Sequence, residues 1–359
     1  MYKGNMAMAT VIVDKFHSDS GSQSTAKKTA GGADLPVEPA NASPMASKSW
    51  PIDPRKITTW LKGLAAPTLG ILAFLALWAV LAPQVDTSLG SLPGPVEVSA
   101  QGVALFEEWS VAQDQKAEFY SAQDTRNDAA IASGGETRDF EYSGPPTFLD
   151  QIWTSLATVA LGFFLATIVA VPIGLICGLS KTFNAAINPI VQIMKPVSPL
   201  AWLPIVTMVI SATMTDPEPS LPKSFVISAI VVMLCSLWST LINTAIGAAS
   251  IDKDLLNVGK VLRLGWFAKL TRLVLPSALP YIFTGMRLSL GVGWMVLIAA
   301  EMLAQNPGLG KFVWDEFQNG SSQSLARIMF AVIVIGLIGF MLDRIMMLLQ
   351  NFASRNRTV

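Results

Sequence analysis

Long apolar stretches, each close to the length of a membrane-spanning helix, recur along this sequence. A bilayer's hydrocarbon core is about 30 Å thick and a helix rises about 1.5 Å per residue, so about 20 apolar residues span it. Stretches this long with so few charges are hard to explain as core helices of a soluble protein. The pattern predicts an all-α fold, a polytopic membrane bundle of about six transmembrane helices, over Leu61–Leu81, Gln151–Ser180, Val197–Met214, Phe225–Ile246, Leu279–Ala304 and Ile328–Leu349.

The second and third stretches differ in how clearly they predict a span. No charged residue occurs from Gln151 to Ser180, which makes the second stretch the clearest. The third contains Pro196, Pro199 and Pro204 at its start, and proline interrupts the hydrogen bonding of a helix. The third span therefore has the weakest sequence support.

The polar segments divide the chain into a tail, an outer segment and a core. Residues 1–55 are rich in Ser, Ala, Gly, Lys and Pro. We expect a disordered cytoplasmic tail there and no signal peptide, because its one short apolar patch lacks a small-residue cleavage site. The other predicted segments are a first transmembrane helix over 56–83, an acidic extracytoplasmic segment over 84–150, a core over 151–350 and a cytoplasmic tail over 351–359.

The charges between the helices predict the orientation. Residues 84–150 hold twelve acidic residues and three basic ones, whereas the loop 247–272 holds five basic residues and two acidic ones. Lys and Arg accumulate on the cytoplasmic side of membrane proteins. We therefore expect both termini and the loop 247–272 to lie in the cytoplasm, with the acidic segment outside.

Composition supports a membrane protein and argues against several other classes. The chain is 52% hydrophobic and 14% charged, with a mean hydropathy of +0.48, whereas soluble domains are about 25% charged. The net charge is zero and no basic patch is interleaved with aromatic residues, so no nucleic-acid partner is expected. The one histidine, His17, lies in the tail, and Cys177 and Cys235 lie in separate apolar runs. We expect no metal site and no disulfide.

The loop between the fourth and fifth spans has a helical pattern of its own. Apolar residues recur at helical spacing from Ile251 to Phe267, with basic residues between them. This predicts a short amphipathic helix over Leu255–Leu264, a turn at Gly265 and a second short helix over about Phe267–Val274, broken at Leu275-Pro276. Such a unit suits the groove of a partner protein and suits lipid headgroups equally well.

Sequence blocks in and around this loop favour a partner protein. The stretch Gly259–Pro276, GKVLRLGWFAKLTRLVLP, resembles the cytoplasmic "EAA" loop of type I ABC importer permeases. The resemblance covers about residues 60–350 and is closest to the nitrate and bicarbonate permeases, within a branch that also includes sulfonate and taurine permeases. The further blocks that carry it are Leu92–Val96, Met194–Pro204, Leu241–Gly247, Pro276–Gly285 and Ala300–Met302.

The resemblance implies that this cytoplasmic loop is a coupling helix that docks into a cleft of ABC ATPase subunits. Apolar anchors are expected at Leu262, Leu264 and Trp266, and a charged orienting residue at Arg263. The family's usual glycine aligns with Arg263 and its first alanine with Gly259, so the turn is placed over Arg263 to Gly265. The expected ATPase-coupling residues are Gly259, Leu262, Arg263, Leu264, Gly265, Trp266 and Pro276.

The resemblance also implies a function. We expect a permease subunit of an ATP-driven importer in the bacterial inner membrane, for a small anion, nitrate before bicarbonate. Its implied partners are cytoplasmic ATPase subunits, an extracytoplasmic substrate-binding protein and a second permease subunit, as a homodimer. The alternatives are a sulfonate, taurine or cyanate permease, an ion-coupled secondary transporter, and a sensor or scaffold.

The chain is not expected to hydrolyse ATP itself. The sequence most like a phosphate-binding loop is Gly308–Lys311. It lacks the upstream glycine of that motif, and Phe312 follows the lysine where the motif has Ser or Thr. We read it as the extracellular turn after the fifth helix. With the one histidine in the tail, a Ser/His/Asp set is also excluded from the membrane region. No catalytic residue and no cofactor are predicted, and ATP hydrolysis is expected on a separate subunit.

The fifth span carries polar residues at Arg287, Trp294 and Glu301, seven positions apart. Seven steps of about 100° return to within about 20° of the start, so all three share one face. An arginine at mid-bilayer costs about 2.5 to 3.5 kcal/mol on insertion scales and should avoid lipid. One interpretation is a translocation pathway with Arg287 near the cytoplasmic end, Trp294 in the middle and Glu301 at the outer mouth. The other is structural, with Arg287 paired to a carboxylate or carbonyls and Trp294 packed in the core.

Overall fold

The computed structural model describes residues 54–87, 90–215, 221–321 and 323–355. The predicted tail 1–55 lies outside the described residues except for its last two positions, and the predicted tail 351–359 is described only as far as Arg355. The chain divides into two units, 1–61 and 62–359, and every element after α1 lies in the second unit.

Helices account for most of the described chain, which confirms the predicted all-α class. One helical turn, Leu270–Val274, is π-helical, and the only strands of the described residues are a two-residue antiparallel pair. The elements are α1 Pro54–Leu81, a 3-10 turn Ala82–Gln84, β1 Asp86–Thr87, β2 Gly90–Ser91, α2 Pro95–Ala132, α3 Phe148–Leu179, α4 Lys181–Met194, α5 Pro199–Thr213, α6 Lys223–Ala249, α7 Lys253–Val261, α8 Trp266–Lys269, α9 Leu275–Ala304, α10 Leu309–Asn319 and α11 Ser324–Arg355.

Five helical runs in the described part of the chain are long and apolar enough to cross a membrane: Ala65–Gln84, Phe148–Leu179, Lys223–Ala249, Trp266–Ala304 and Ser324–Ala353. They match five of the predicted spans. The remaining prediction, one helix over Val197–Met214, corresponds to α5, Pro199–Thr213, which is too short to cross a membrane alone. Helices α4 and α5 meet at a bend of 102° and are together long and apolar enough for a sixth, broken span. Pro196 and Pro199 stand at the bend, where proline and the residue before it resist helical geometry.

Three of the spans, α3, α6 and α9, form the centre of the bundle. Every fourth residue along one side of α3 is small, and Ala166 and Ala170 on this side are fully buried in a cluster with Leu237 and Leu241 of α6. Small residues let two membrane helices approach closely. The members of this stripe are Gly162, Ala166, Ala170, Gly174 and Gly178.

The acidic segment 84–150 contains a helix of 38 residues, α2, that the sequence analysis does not predict. Its first half packs on the bundle through the buried Val98 and Leu105, and Gly102 leaves room for the ring of Phe330 on α11. The chain then runs back along α2, and Gln123 accepts a hydrogen bond from the backbone N–H of Phe140 at 3.0 Å. The outer segment is therefore ordered and attached to the bundle.

Candidate functional site

Residues 253–274, the coupling segment hereafter, link α6 to α9 and expose large apolar side chains. Leu262 is 64% exposed, Trp266 67% and Phe267 72%, and Val261 is exposed further still. Contiguous exposed apolar side chains mark an interaction surface. Leu262 and Trp266, two of the three expected anchors, are thus exposed. Val261 and Phe267 are exposed as well and are not among the expected anchors, although Phe267 belongs to the helical periodicity.

The turn of the coupling segment lies at Arg263. The N–H of Leu264 donates to the carbonyl of Gly259, and the N–H of Arg263 to that of Lys260, each at 3.0 Å. This pair of bonds is the Schellman arrangement that closes a helix C-terminus. Arg263 has a φ of 50°, in the left-handed region that usually requires glycine, whereas Gly265 has a φ of −60°. The first predicted helix thus ends three residues early, at Val261, and Gly265 begins the next helix.

Two further coupling residues support the turn from inside. Gly259 is buried, and a Cβ there would overlap Leu273. Leu264 is half-buried near the same glycine, so it packs against the turn and does not project outward as an anchor. The predicted set therefore separates into outward residues and supporting ones.

Pro276 does not break the helix, contrary to the prediction. Helix α8 continues through the π-helical turn Leu270–Val274 directly into α9, giving one run from Trp266 to Ala304. A π-helical turn shifts the hydrogen-bond register, and a proline that follows it has no N–H to leave unpaired. The coupling segment is consequently one end of a membrane-spanning helix.

On α9, Arg287 pairs with Asp343 of α11. Its Nε lies 2.5 Å from Oδ1 and its Nη2 lies 2.9 Å from Oδ2. The two side chains are 38% and 37% exposed and border a cavity of about 210 Å3 that Gly291, Trp294 and Gly339 also line. The paired arrangement matches the structural interpretation of Arg287, while the opening of the pair into a cavity leaves its guanidinium accessible.

Trp294 is packed in the core, only 6% exposed, and its indole Nε1 donates to the carbonyl of Ile335 at 3.0 Å. A Cβ on Gly339 would press against the indole ring, so this glycine makes the room in which it lies. One edge of the indole borders the cavity below Arg287. Trp294 thus belongs both to the core of the bundle and to the lining of that cavity.

Glu301 is fully buried near the C-terminal end of α9 and is enclosed, not at an open mouth. The Ser155 hydroxyl lies 2.8 Å from both carboxylate oxygens, and the backbone N–H of Gly310 donates to one of them at 3.0 Å. Ser155 also accepts a hydrogen bond from the N–H of Leu309 at 2.8 Å. The carboxylate therefore fixes the start of α10, and the predicted turn Gly308–Lys311 is instead the beginning of this helix.

Arg327 on α11 joins the outer elements to one another. It donates to Glu316 of α10 at 3.3 Å and pairs with Glu108 of α2, while Ser324 donates to Glu316 at 2.7 Å. Sequence patterns could not find this network, because Arg327 and Glu108 are 219 positions apart. Among the described residues, no group of three or more His, Cys, Asp or Glu side chains is placed to hold a metal ion.

Comparison with known proteins relates the chain to membrane transport components. The family of "binding-protein-dependent transport system inner membrane component" matches residues 170–355. The chain is 33% identical to the bicarbonate transport system permease protein CmpB of Synechococcus elongatus, over 82% of this chain and 91% of that protein. It is 36% identical to the nitrate import permease protein NrtB of Synechocystis sp., over 56% of this chain and 68% of that protein.

A solved structure of the MetNI methionine ABC transporter, in an inward-facing conformation, also aligns with part of the chain. The alignment has a TM-score of 0.49 and 12% identity, and it covers 58% of this chain and 96% of the other.

Proposed function

The chain belongs to the family of binding-protein-dependent transport system inner membrane components, as a type I ABC importer permease of the nitrate and bicarbonate type, and we propose that it carries nitrate into the cell as one subunit of an ATP-driven importer. Bicarbonate is the second candidate. The similarity to both named relatives supports a small oxyanion. Selectivity in such systems usually rests with the binding protein.

The observation that carries the proposal is the exposed apolar surface of the coupling segment. Leu262, Trp266 and Phe267 project from it, and apolar and aromatic anchors dominate interface energies, often at about 2 kcal/mol or more each. We propose that a cytoplasmic ABC ATPase binds this surface and that Arg263 orients it. Since Trp266 begins the run that ends at Ala304, movement of the ATPase would act on α9 directly.

Orientation follows from the same proposal. The coupling segment and both termini would lie in the cytoplasm, and the acidic segment with α2 outside, in the inner membrane of a bacterium. The charge difference between the two sides of the bundle supports this arrangement.

A second copy of the permease would complete the pathway. Arg287 and Asp343 are more than a third exposed inside membrane spans, and charged groups at that depth are costly against lipid. We place this face of α9 and α11 towards the second copy, with Arg287 offering its charge to the anion and Trp294 limiting the width of the path. Glu301 holds the outer end of α9 in place.

Affinity purification from solubilised membranes tests the proposal. The wild-type chain should co-purify with a nucleotide-binding subunit, and after addition of substrate with a soluble binding protein. The Leu262→Asp/Trp266→Asp variant should insert normally and lose the nucleotide-binding subunit. The matched control is Val96→Asp, which places the same charge at an exposed apolar position of α2. Active transport by the purified chain without any such subunit would instead identify a secondary transporter.

A further inference from the structure

A cavity of about 650 Å3 lies among the outer elements, between α2, the returning chain before α3, and helices α10 and α11. One wall is apolar and includes Pro146, Phe148 and Phe312, and the opposite rim carries Glu107 and Glu108 of α2. This volume lies within the range of about 300–1,000 Å3 that binding pockets occupy, and the mixed lining is typical of them. Neither the ATPase surface nor the Arg287 face uses this cavity.

The walls of the cavity are held in place by contacts between protein side chains. The rings of Phe148 and Phe312 meet edge to face with centroids 4.8 Å apart, which joins α3 to α10. Arg327 pairs with Glu108 and donates to Glu316, which joins α2 to α11 and α10. A site that is already formed binds at a smaller entropic cost than one that must be ordered.

Glu107 differs from its neighbour Glu108 in having no partner. Its side chain lines the cavity, is exposed, and has no ion pair or hydrogen bond with any described residue. A basic side chain entering the cavity would therefore meet one free carboxylate beside an apolar wall. This combination selects a Lys or Arg that stands next to an apolar residue.

The charges at the cavity disfavour a free anion as its occupant. Glu107 and Glu108 line it beside one basic residue, Arg327, and the whole segment 84–150 carries twelve acidic and three basic side chains, so the local potential is negative and repels nitrate or bicarbonate. The same potential attracts a basic protein surface and raises its rate of association. An anion could pass this region most readily when it arrives enclosed in a protein.

We propose that the cavity receives a projecting loop of the extracytoplasmic binding protein, one in which a Lys or Arg stands beside an apolar side chain. This inference rests on the proposed function, since that function supplies the partner. The basic group pairs with Glu107 and the apolar group packs on Phe148 and Phe312. Docking there contacts α10, whose first turn is fixed by Glu301 of α9.

The test uses the purified complex of permease and ATPase, titrated with the binding protein recovered in the co-purification above. The readout is the binding-protein concentration that half-saturates stimulation of ATP hydrolysis. Glu107→Lys reverses the free charge, and Ala112→Trp fills the cavity from α2. Each should raise that concentration by about tenfold, a loss within the range of one close interfacial contact. Asp124→Lys is the matched control, because it makes the same change at an exposed site of α2 outside the cavity lining.

The outcomes separate this inference from the proposed function. Failure of the binding protein to stimulate the wild-type complex would contradict the proposed function itself. Suppose instead that the binding protein stimulates the wild type and that Glu107→Lys, Ala112→Trp and Asp124→Lys all show the wild-type half-saturating concentration. That result would overturn the docking site and leave the proposed function standing. Retained co-purification of the ATPase and a single elution peak establish that each variant is folded. Higher salt should raise the half-saturating concentration of the binding protein more for the wild type than for Glu107→Lys, because salt screens the attraction to Glu107.

Discussion

The guanidinium of Arg287 on α9 is bound by both carboxylate oxygens of Asp343 on α11, at 2.5 Å and 2.9 Å. Bidentate pairs of this kind are among the strong hydrogen bonds of proteins. Removing one partner leaves the other charge unpaired, whereas removing both leaves none. The two residues must therefore be changed together to learn what the arginine does for transport.

We predict that the double variant Arg287→Gln/Asp343→Asn assembles normally and transports the anion about tenfold more slowly, because the charge that Arg287 offers to the anion is lost. Both new side chains are neutral, so neither leaves an unpaired charge behind, and Asn keeps the shape of Asp. Assembly is measured by recovery of the ATPase complex and transport by uptake of labelled anion.

The single variants provide the comparison. Arg287→Gln alone leaves Asp343 without its partner, so its assembly should be poorer than that of the double variant. If the double variant assembles and transports at the wild-type rate, Arg287 has no role in the pathway. If the double variant fails to assemble, the pair is structural.

A second prediction concerns the turn at Arg263, whose φ of 50° is strained for any residue except glycine. In the left-handed region an L-residue costs about 1–2 kcal/mol. Arg263→Gly should therefore raise the thermal stability of the chain slightly and lower, without abolishing, its association with the ATPase, because the orienting charge is lost. Arg263→Val should destabilise the turn. Equal ATPase association in the wild type and Arg263→Gly would remove the orienting role.

The spans and the coupling segment were accessible from sequence because their signals are local. Long apolar runs predict α1, α3, α6, α9 and α11, and helical spacing predicts that the coupling segment is helical. The position of the turn in the coupling segment was harder to predict. Arg263 has the left-handed backbone conformation that residue preferences would assign to Gly265. Helix α2 gives no such signal, because its apolar positions do not gather on one face.

The partners of the site residues could not be predicted, since the fold alone brings them together. Ser155 is 146 positions from Glu301, and Asp343 is 56 positions from Arg287. Spacing on α9 places the three polar residues on one face of the helix, but it carries no information about what lies opposite each of them. Glu301 is consequently enclosed by α3 and α10, where the sequence suggests an open mouth.

A third prediction concerns this enclosed carboxylate. Glu301→Ala removes the acceptor for Ser155 and the N–H of Gly310, and an unsatisfied buried polar group costs about 1–3 kcal/mol. The variant should melt several degrees lower in detergent and yield less folded protein. Gly308→Ala should behave similarly, because its Cβ would overlap the Glu301 carboxylate. The control is Glu118→Ala, which removes an exposed carboxylate. If Glu301→Ala melted at the same temperature as Glu118→Ala, Glu301 would have no structural role.

A fourth prediction tests the arrangement of two copies. Met295 is 70% exposed on α9, whereas Leu297 is fully buried on the same helix. With the native cysteines replaced, Met295→Cys should form a disulfide-linked dimer on mild oxidation in membranes, and Leu297→Cys should not. A complex that is active and contains one permease chain would refute the homodimer.

Uptake of labelled nitrate and labelled bicarbonate by a deletion strain tests most directly whether the chain is the permease of an ATP-driven anion importer. The strain carries either the wild-type chain or the Leu262→Asp/Trp266→Asp variant at equal membrane levels. We predict that the wild type restores uptake of nitrate, that depletion of ATP abolishes this uptake, and that the variant does not restore it. Uptake of both anions that is equal with and without the wild-type chain, or that continues after ATP depletion, would contradict the proposed function.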